Sequence, residues 1–187
     1  MNKNGKIPAV FLDRDGTIIE EIGFINDPDK VMPIPGAIEA VKKLNDAGFL
    51  VIVVSNQSGV ARGYFDEDTV VSVNRRIDEI FREGGAEIAK FYFCPHYKDG
   101  VVPKYSIECD CRKPATGMVQ KAMEELDVEP KLVIGDRESD IMLAKNIGVK
   151  SILVLTGYGA KQSADVLQMA DFVADDILCA VDWFLNL

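Results

Sequence analysis

The chain has 187 residues, 48% hydrophobic and 27% charged, with 21 Lys and Arg against 30 Asp and Glu, a net charge of −9. That is ordinary composition for one globular domain, which at this size buries roughly 70% of its unfolded surface without covalent staples. The negative balance argues against nucleic acid or an anionic membrane as the main partner, but a few local cations suffice for a small anionic substrate.

Short apolar strands alternate with amphipathic helices. Residues 9–12 read as a strand ending at Asp13. Residues 36–47 read as a helix with Ile38, Val41 and Leu44 on one face and Gly48 as its stop. Residues 50–54 are apolar throughout, as a strand covered on both faces should be. A helix over 66–83 carries Val70, Val73, Ile77 and Ile80 as its stripe, and a strand over 90–93 follows. The stretch 94–114 is irregular. A helix over 116–126, a strand over 131–134, a helix over 139–147 and a strand over 151–155 continue the alternation. The tail has a short helix near 163–169, a short strand at 172–173 and a helix over 176–184, in which Cys179 is expected to be a core residue.

This rhythm predicts an α/β fold, a single Rossmann-like domain spanning 1–187 with a mostly parallel sheet and helices on both faces. Ligands of such sheets bind beyond the carboxyl ends of the strands, where strand order switches. No apolar run approaches the ~20 residues of a membrane span, and the polar residues 1–6 show no signal peptide, so a cytoplasmic protein is expected. The phosphate-binding loop G-x-x-x-x-G-K-[ST] is absent, and Gly157-Tyr158-Gly159 is too short and late for a dinucleotide fingerprint.

Four polar groups fall at predicted strand ends or on adjacent loops. Asp13-Arg14-Asp15-Gly16-Thr17 places two carboxylates on a tight turn, where a carboxylate nucleophile, a carboxylic acid and a divalent cation can meet. Ser55-Asn56-Gln57-Ser58-Gly59 offers hydroxyl and amide donors. Arg112-Lys113-Pro114 offers cations for a phosphoryl group. Gly135-Asp136-Arg137-Glu138-Ser139-Asp140 offers a further metal carboxylate. Each alone is compatible with an ordinary turn, cap or solvated loop; their coincidence in one chain argues for one site.

The order Asp13-x-Asp15-Gly-Thr17, Ser55, Lys113, Gly135-Asp136-x-x-x-Asp140 resembles the haloacid dehalogenase superfamily of phosphohydrolases. The segments 11–17, 56–63, Cys94-Pro95-His96 and 109–114 resemble more narrowly the D-glycero-D-manno-heptose 1,7-bisphosphate phosphatases, over nearly the whole chain. The sister histidinol-phosphate phosphatases commonly carry Asp where this chain has Ser58, and Ala61-Arg62-Gly63 also favours the heptose branch. The resemblance implies Asp13 as nucleophile, Asp15 as general acid and then base, and Ser55 and Lys113 as phosphoryl holders. It implies Mg²⁺ on Asp13, the Asp15 backbone carbonyl and Asp136. It implies substrate contacts from Glu21, Ile22, Gly23, Phe24, Asn56, Gln57, Ser58, Arg112 and Arg137. Arg137 replaces the family's frequent Lys, which keeps charge but changes geometry, and Phe24 stands where a Tyr can occur.

Cys94-x-His96 and Cys109-x-Cys111 supply three thiolates and the chain's one imidazole, a closed tetrahedral set of the structural Zn²⁺ type within a loop at 94–111. Too few residues separate Thr17 from the helix at 36 for a cap domain. The reading is therefore a Mg²⁺-dependent phosphatase of the heptose 7-phosphate. It would carry a structural Zn²⁺ and act as a cytoplasmic monomer on a small phosphorylated sugar, with no nucleic-acid or membrane partner. Histidinol-phosphate phosphatase and a non-catalytic phosphosugar-binding protein are the alternatives.

Overall fold

The computed structural model describes residues 5–187; the first four residues of the polar stretch read at 1–6 lie outside them. Six strands, β1 (Ile7–Leu12), β2 (Leu50–Asn56), β3 (Lys90–Cys94), β4 (Val128–Gly135), β5 (Lys150–Val154) and β6 (Phe172–Ala174), form one sheet in the order β3-β2-β1-β4-β5-β6. Every pairing is parallel, so the sheet is wholly rather than mostly parallel. The order reverses between β1 and β4, and the crevice beyond their carboxyl ends is where a ligand finds room.

Alternation along each strand splits the core in two. Val10, Leu12, Val51, Val53, Leu132 and Ile134 face α1 (Ala37–Asp46), α2 (Glu67–Glu83) and α6 (Ile177–Leu185). Ala9, Phe11, Ile52, Val54 and Val133 face α3 (Gly117–Leu126) and α4 (Glu138–Ile147). Both faces are therefore covered, which is why the strands read as apolar throughout. A short α5 (Ala164–Met169) completes the helices.

Three readings change. β4 begins three residues earlier than the apolar run, across Pro130, and its register against β1 shifts between Ala9 and Val10; a proline with no N–H is tolerated where the ladder is already irregular. The buried stripe of α2 ends on Phe81, with Ile80 half-buried beside it. Cys179 is exposed and not a core residue, because the helix buries Ile177, Ala180 and Val181 and turns position 179 outward. Phe81→Ala should therefore cost about 3–5 kcal/mol, whereas Cys179→Ser should stay within about 0.5 kcal/mol, as measured by urea unfolding.

Candidate active site

Asp13 follows the last residue of β1, and its N–H is bonded to the Ile134 carbonyl of β4 at 2.9 Å. The switch point thus fixes it directly. The next turn brings Gly16 against Asp136, with φ +82° and no room for a Cβ beside that carboxylate, so only glycine fits.

Lys113 reaches in from the irregular loop and is buried. Its ammonium contacts Asp13 Oδ1 at 2.7 Å, Asp140 Oδ1 at 2.6 Å and the Val54 carbonyl at 2.7 Å. Two of these contacts are hydrogen bonds, to Asp13 and Val54, and the third is an ion pair with Asp140, so the charge is compensated on three sides. Burial alone would lower the Lys113 ammonium, but Asp13 and Asp140 outweigh it and hold it above the ordinary lysine range. Asn56 holds the lysine's backbone from both sides: its Nδ2 donates to the Lys113 carbonyl at 3.1 Å and its Oδ1 accepts from the Lys113 N–H at 3.0 Å. Asn56, expected to contact substrate, therefore has its side-chain amide committed to positioning Lys113.

Asp15 is fixed from two directions. Arg14, 1% exposed, donates to both of its oxygens at 3.1 Å and to Asn74 Oδ1 at 2.9 Å. Gln57 Nε2 donates to Asp15 Oδ2 at 2.9 Å and also to Ser55 Oγ. Gln57 alone thereby connects the predicted acid to the predicted phosphoryl holder. Glu21 accepts from Gly23 N–H at 2.7 Å and from Arg137 at 3.0 Å, closing one side of a cleft of about 450 Å³. Gly23, Phe24 and Ser58 line it with Arg112 and Arg137; Ile22 does not. The loop turns Ile22 outward, leaving it 45% exposed.

Asp13, Asp136 and Asp140 bring carboxylate oxygens within 4.8 Å of one another, all buried. Asp136 accepts from the Tyr158 N–H at 2.7 Å through Oδ2, while its buried Oδ1 has no hydrogen-bond partner. An oriented carboxylate oxygen that accepts no hydrogen bond, next to a second carboxylate, is the oxygen-rich setting that Mg²⁺ prefers. Burial, and then repulsion from Asp13, pushes the Asp136 carboxyl up to about 8; burial pushes Asp140 up to about 6 while Lys113 pulls it back. Asp140, absent from the expected site set, was visible in the sequence only as a carboxylate four residues after Asp136. It faces the lysine, and Asp13 and Asp136 remain the pair suited to the ion.

The four residues of the Cys/His set converge as well. The Cys94, Cys109 and Cys111 sulphurs lie 3.1–3.5 Å apart, and His96 Nδ1 is 3.4 Å from Cys111 and 3.7 Å from Cys94. No two of them are disulfide-bonded. Those separations approach the edges of a tetrahedron with Zn–S of about 2.3 Å, so the set fits Zn²⁺. Arg112 donates to the His96 carbonyl at 3.1 Å, which links the metal loop to the residue before Lys113.

Comparison with known proteins decides the family. The chain is 40% identical over 185 residues to a D-glycero-D-manno-heptose-1,7-bisphosphate 7-phosphatase of Thermosynechococcus vestitus, covering 94% of each. It is 37% identical to the corresponding protein of Yersinia pestis, covering 96% of this chain and 90% of that one. The chain belongs to the D-glycero-D-manno-heptose-1,7-bisphosphate 7-phosphatase family. A HAD-hydrolase-like family model matches residues 110–180, and a polynucleotide kinase 3 phosphatase model matches residues 9–139. The crystal structure of a heptose bisphosphate phosphatase from B. bronchiseptica, complexed with magnesium and phosphate, superposes with a TM-score of 0.81. It is 28% identical and covers 95% of this chain and 98% of that one. A HAD-like phosphatase from Mesorhizobium loti gives the same TM-score at 33% identity, covering 95% and 87%. These relatives do not favour the histidinol-phosphate alternative.

Two outcomes follow from the geometry. An unfolded Asp136 releases its proton near 3.8 and the folded one near 8. The folded state thus binds more protons across that window and loses stability as pH rises through it. Without Mg²⁺, the wild type should lose more melting temperature than Asp136→Asn between about pH 6 and about pH 8, and added Mg²⁺ should restore it in the wild type only. Equal losses would clear Asp136 of the effect. The double variant Cys109→Ser with Cys111→Ser should lose its zinc, stay folded by circular dichroism and slow phosphate release on the order of 10²-fold, because Lys113 would be misplaced.

Proposed function

We propose that this chain is a Mg²⁺-dependent phosphatase that removes the 7-phosphate of D-glycero-D-manno-heptose 1,7-bisphosphate. The observation that carries the reading is the set of carboxylates at the switch point: buried Asp13 held by Lys113, buried Asp136 with one oxygen that accepts no hydrogen bond, and half-buried Asp15 fixed beside them. A non-catalytic binder would have no use for that set.

In the first half-reaction an Asp13 oxygen forms a bond to phosphorus as the bond from phosphorus to the sugar O7 breaks. Asp15 gives its proton to O7, and the product is the sugar monophosphate and an aspartyl-phosphate. In the second, Asp15 takes a proton from water, the hydroxyl adds to phosphorus, and the bond to Asp13 breaks, releasing inorganic phosphate. Lys113 and Ser55 hold the phosphoryl oxygens through both steps. Mg²⁺, held by Asp13, Asp136 and the Asp15 carbonyl, would offset charge on those oxygens. Arg14 and Gln57 keep Asp15 oriented. Glu21, Gly23, Phe24, Gln57, Ser58, Arg112 and Arg137 form the walls that the rest of the sugar meets. The zinc loop at 94–111 fixes the base of Arg112 and Lys113.

On the same reading the enzyme is a cytoplasmic monomer acting on a small diffusible substrate. Among the described residues no helix is long and apolar enough to cross a membrane. Asp13→Asn keeps the size of the side chain but cannot form the acyl phosphate, so phosphate release should fall by orders of magnitude with the fold intact. The wild type should prefer the heptose bisphosphate to histidinol phosphate by at least about tenfold in kcat/KM, roughly 1.4 kcal/mol. Near-native turnover by Asp13→Asn would remove the nucleophile assignment, and a reversed preference would remove the substrate.

A further inference from the structure

The cations around the cleft are unequally committed. Arg14 is taken by Asp15 and Asn74. Lys113 is taken by Asp13, Asp140 and Val54. Arg137 faces Glu21 at 3.0 Å and Asp136 at 3.7 Å and lies over the Tyr158 ring. Among the described residues, Arg62 and Arg112 line the cleft with no carboxylate within ion-pair distance. Arg112 contributes one N–H to the His96 carbonyl. The Arg62 guanidinium lies 4.2 Å from the Tyr97 centroid and 5.8 Å from the Phe24 centroid, and its Nε is buried with no hydrogen-bond partner. The Arg112 guanidinium lies 5.2 Å from the same Tyr97 ring.

One ring thus carries two guanidinium groups whose donors are largely unspent. Stacking fixes their planes without consuming their N–H groups, which leaves the forked donors free for a planar or tetrahedral oxyanion. The zinc loop also fixes the backbone beneath Arg62. The Ala61 carbonyl accepts from the Val101 N–H at 2.8 Å and the Val102 N–H at 3.0 Å, and Arg62 N–H is bonded to Ser58 at 3.0 Å. Tyr97 itself belongs to that loop, and its N–H is bonded to the Tyr105 carbonyl at 3.0 Å.

We infer that Arg62, stacked on Tyr97 beside Arg112, is a specificity-determining residue that binds the phosphate of the substrate that is not cleaved. The inference rests on the heptose bisphosphate reading and assigns the remote phosphate to the Arg62–Tyr97–Arg112 wall rather than to Arg137, whose charge Glu21 and Asp136 already offset. Binding there acts at a distance from the chemistry and serves to place the reacting phosphate against Asp13.

The test measures kcat and KM of the Mg²⁺- and Zn²⁺-loaded full chain on the heptose 1,7-bisphosphate and on heptose 7-phosphate. It compares the wild type, Arg62→Ala, Arg62→Lys and Arg137→Ala, with thermal unfolding as the check on folding. Arg62→Ala should lose at least about tenfold more kcat/KM on the bisphosphate than on the monophosphate, mainly through KM. Arg62→Lys should recover only part of that, since an ammonium keeps the charge but not the fork. Arg137→Ala should discriminate between the two substrates less than Arg62→Ala does. Equal losses on both substrates for Arg62→Ala, full rescue by lysine, or discrimination lost only in Arg137→Ala would each overturn the assignment. A wild type that does not prefer the bisphosphate would instead overturn the substrate reading on which the inference stands.

Discussion

A lysine ammonium with 2% of its side chain exposed is the constraint around which the rest of the molecule is arranged. Taking such a charge out of water is costly unless it is paired and hydrogen-bonded on all sides. Its three partners come from the end of β1, the end of β2 and the start of α4, so they can meet only if β1 is flanked by β2 and β4. The all-parallel order with its switch at β1 delivers that arrangement. The same demand explains Asn56, whose amide clamps the lysine's backbone from the end of β2. It also explains the third carboxylate, since Asp13 alone, if it is to attack a phosphate, cannot be the lysine's only counter-charge.

The resulting cluster is unbalanced by design of the sequence. One ammonium faces Asp13 and Asp140, while Asp136 beside them is buried with one oxygen that accepts no hydrogen bond. Burial lifts the Asp136 and Asp140 carboxyls above the usual carboxylate range. A divalent cation offsets that excess, and a phosphate brought with it meets carboxylates whose charge is already compensated. Resting stability is thus traded for a site that is complete only when loaded, which is the usual relation between buried charge and function.

Much of this was legible in the sequence because it sits where strands end. Asp13, Ser55, Lys113 and Asp136 each follow or adjoin an apolar run or a Pro, and the doubly covered sheet makes those runs unmistakable. The Cys/His spacing was equally readable. What periodicity could not show was which partner each side chain would choose. Asn56 reads as a substrate donor and spends itself on Lys113; Ile22 reads as a wall and turns outward. Asp140 stands in the motif only as a carboxylate after Asp136; in the fold it accepts from the Arg137 N–H at the start of α4 and is also the lysine's second counter-charge. Cys179 reads as core because its helix is apolar nearly all round, and the side facing α1 is set by tertiary packing. Arg62 and Tyr97 lie 35 residues apart, on segments with no regular pattern, and nothing short of the folded loop brings them together.

That loop answers a difficulty set by the chain's size. With no room for a separate cap, the cleft must be walled by loops, and loops are poor at holding long cationic side chains still. Here the wall is tied at several points: the Cys/His cluster at its base, the Ala61 carbonyl under Val101 and Val102, and Tyr105 against Glu67 at the start of α2. Each tie removes freedom that a flexible loop would otherwise have to lose when substrate arrives. The strand ends therefore place the buried carboxylates, in positions dictated by strand order, and the loop places Tyr97 and Arg112 in the cleft wall. Arg112 and Lys113, adjacent in sequence, are the point where the two meet. Whatever holds Cys111 in place sets both the lysine that faces Asp13 and the arginine that lines the cleft, so loss of the loop's order must be felt at both together.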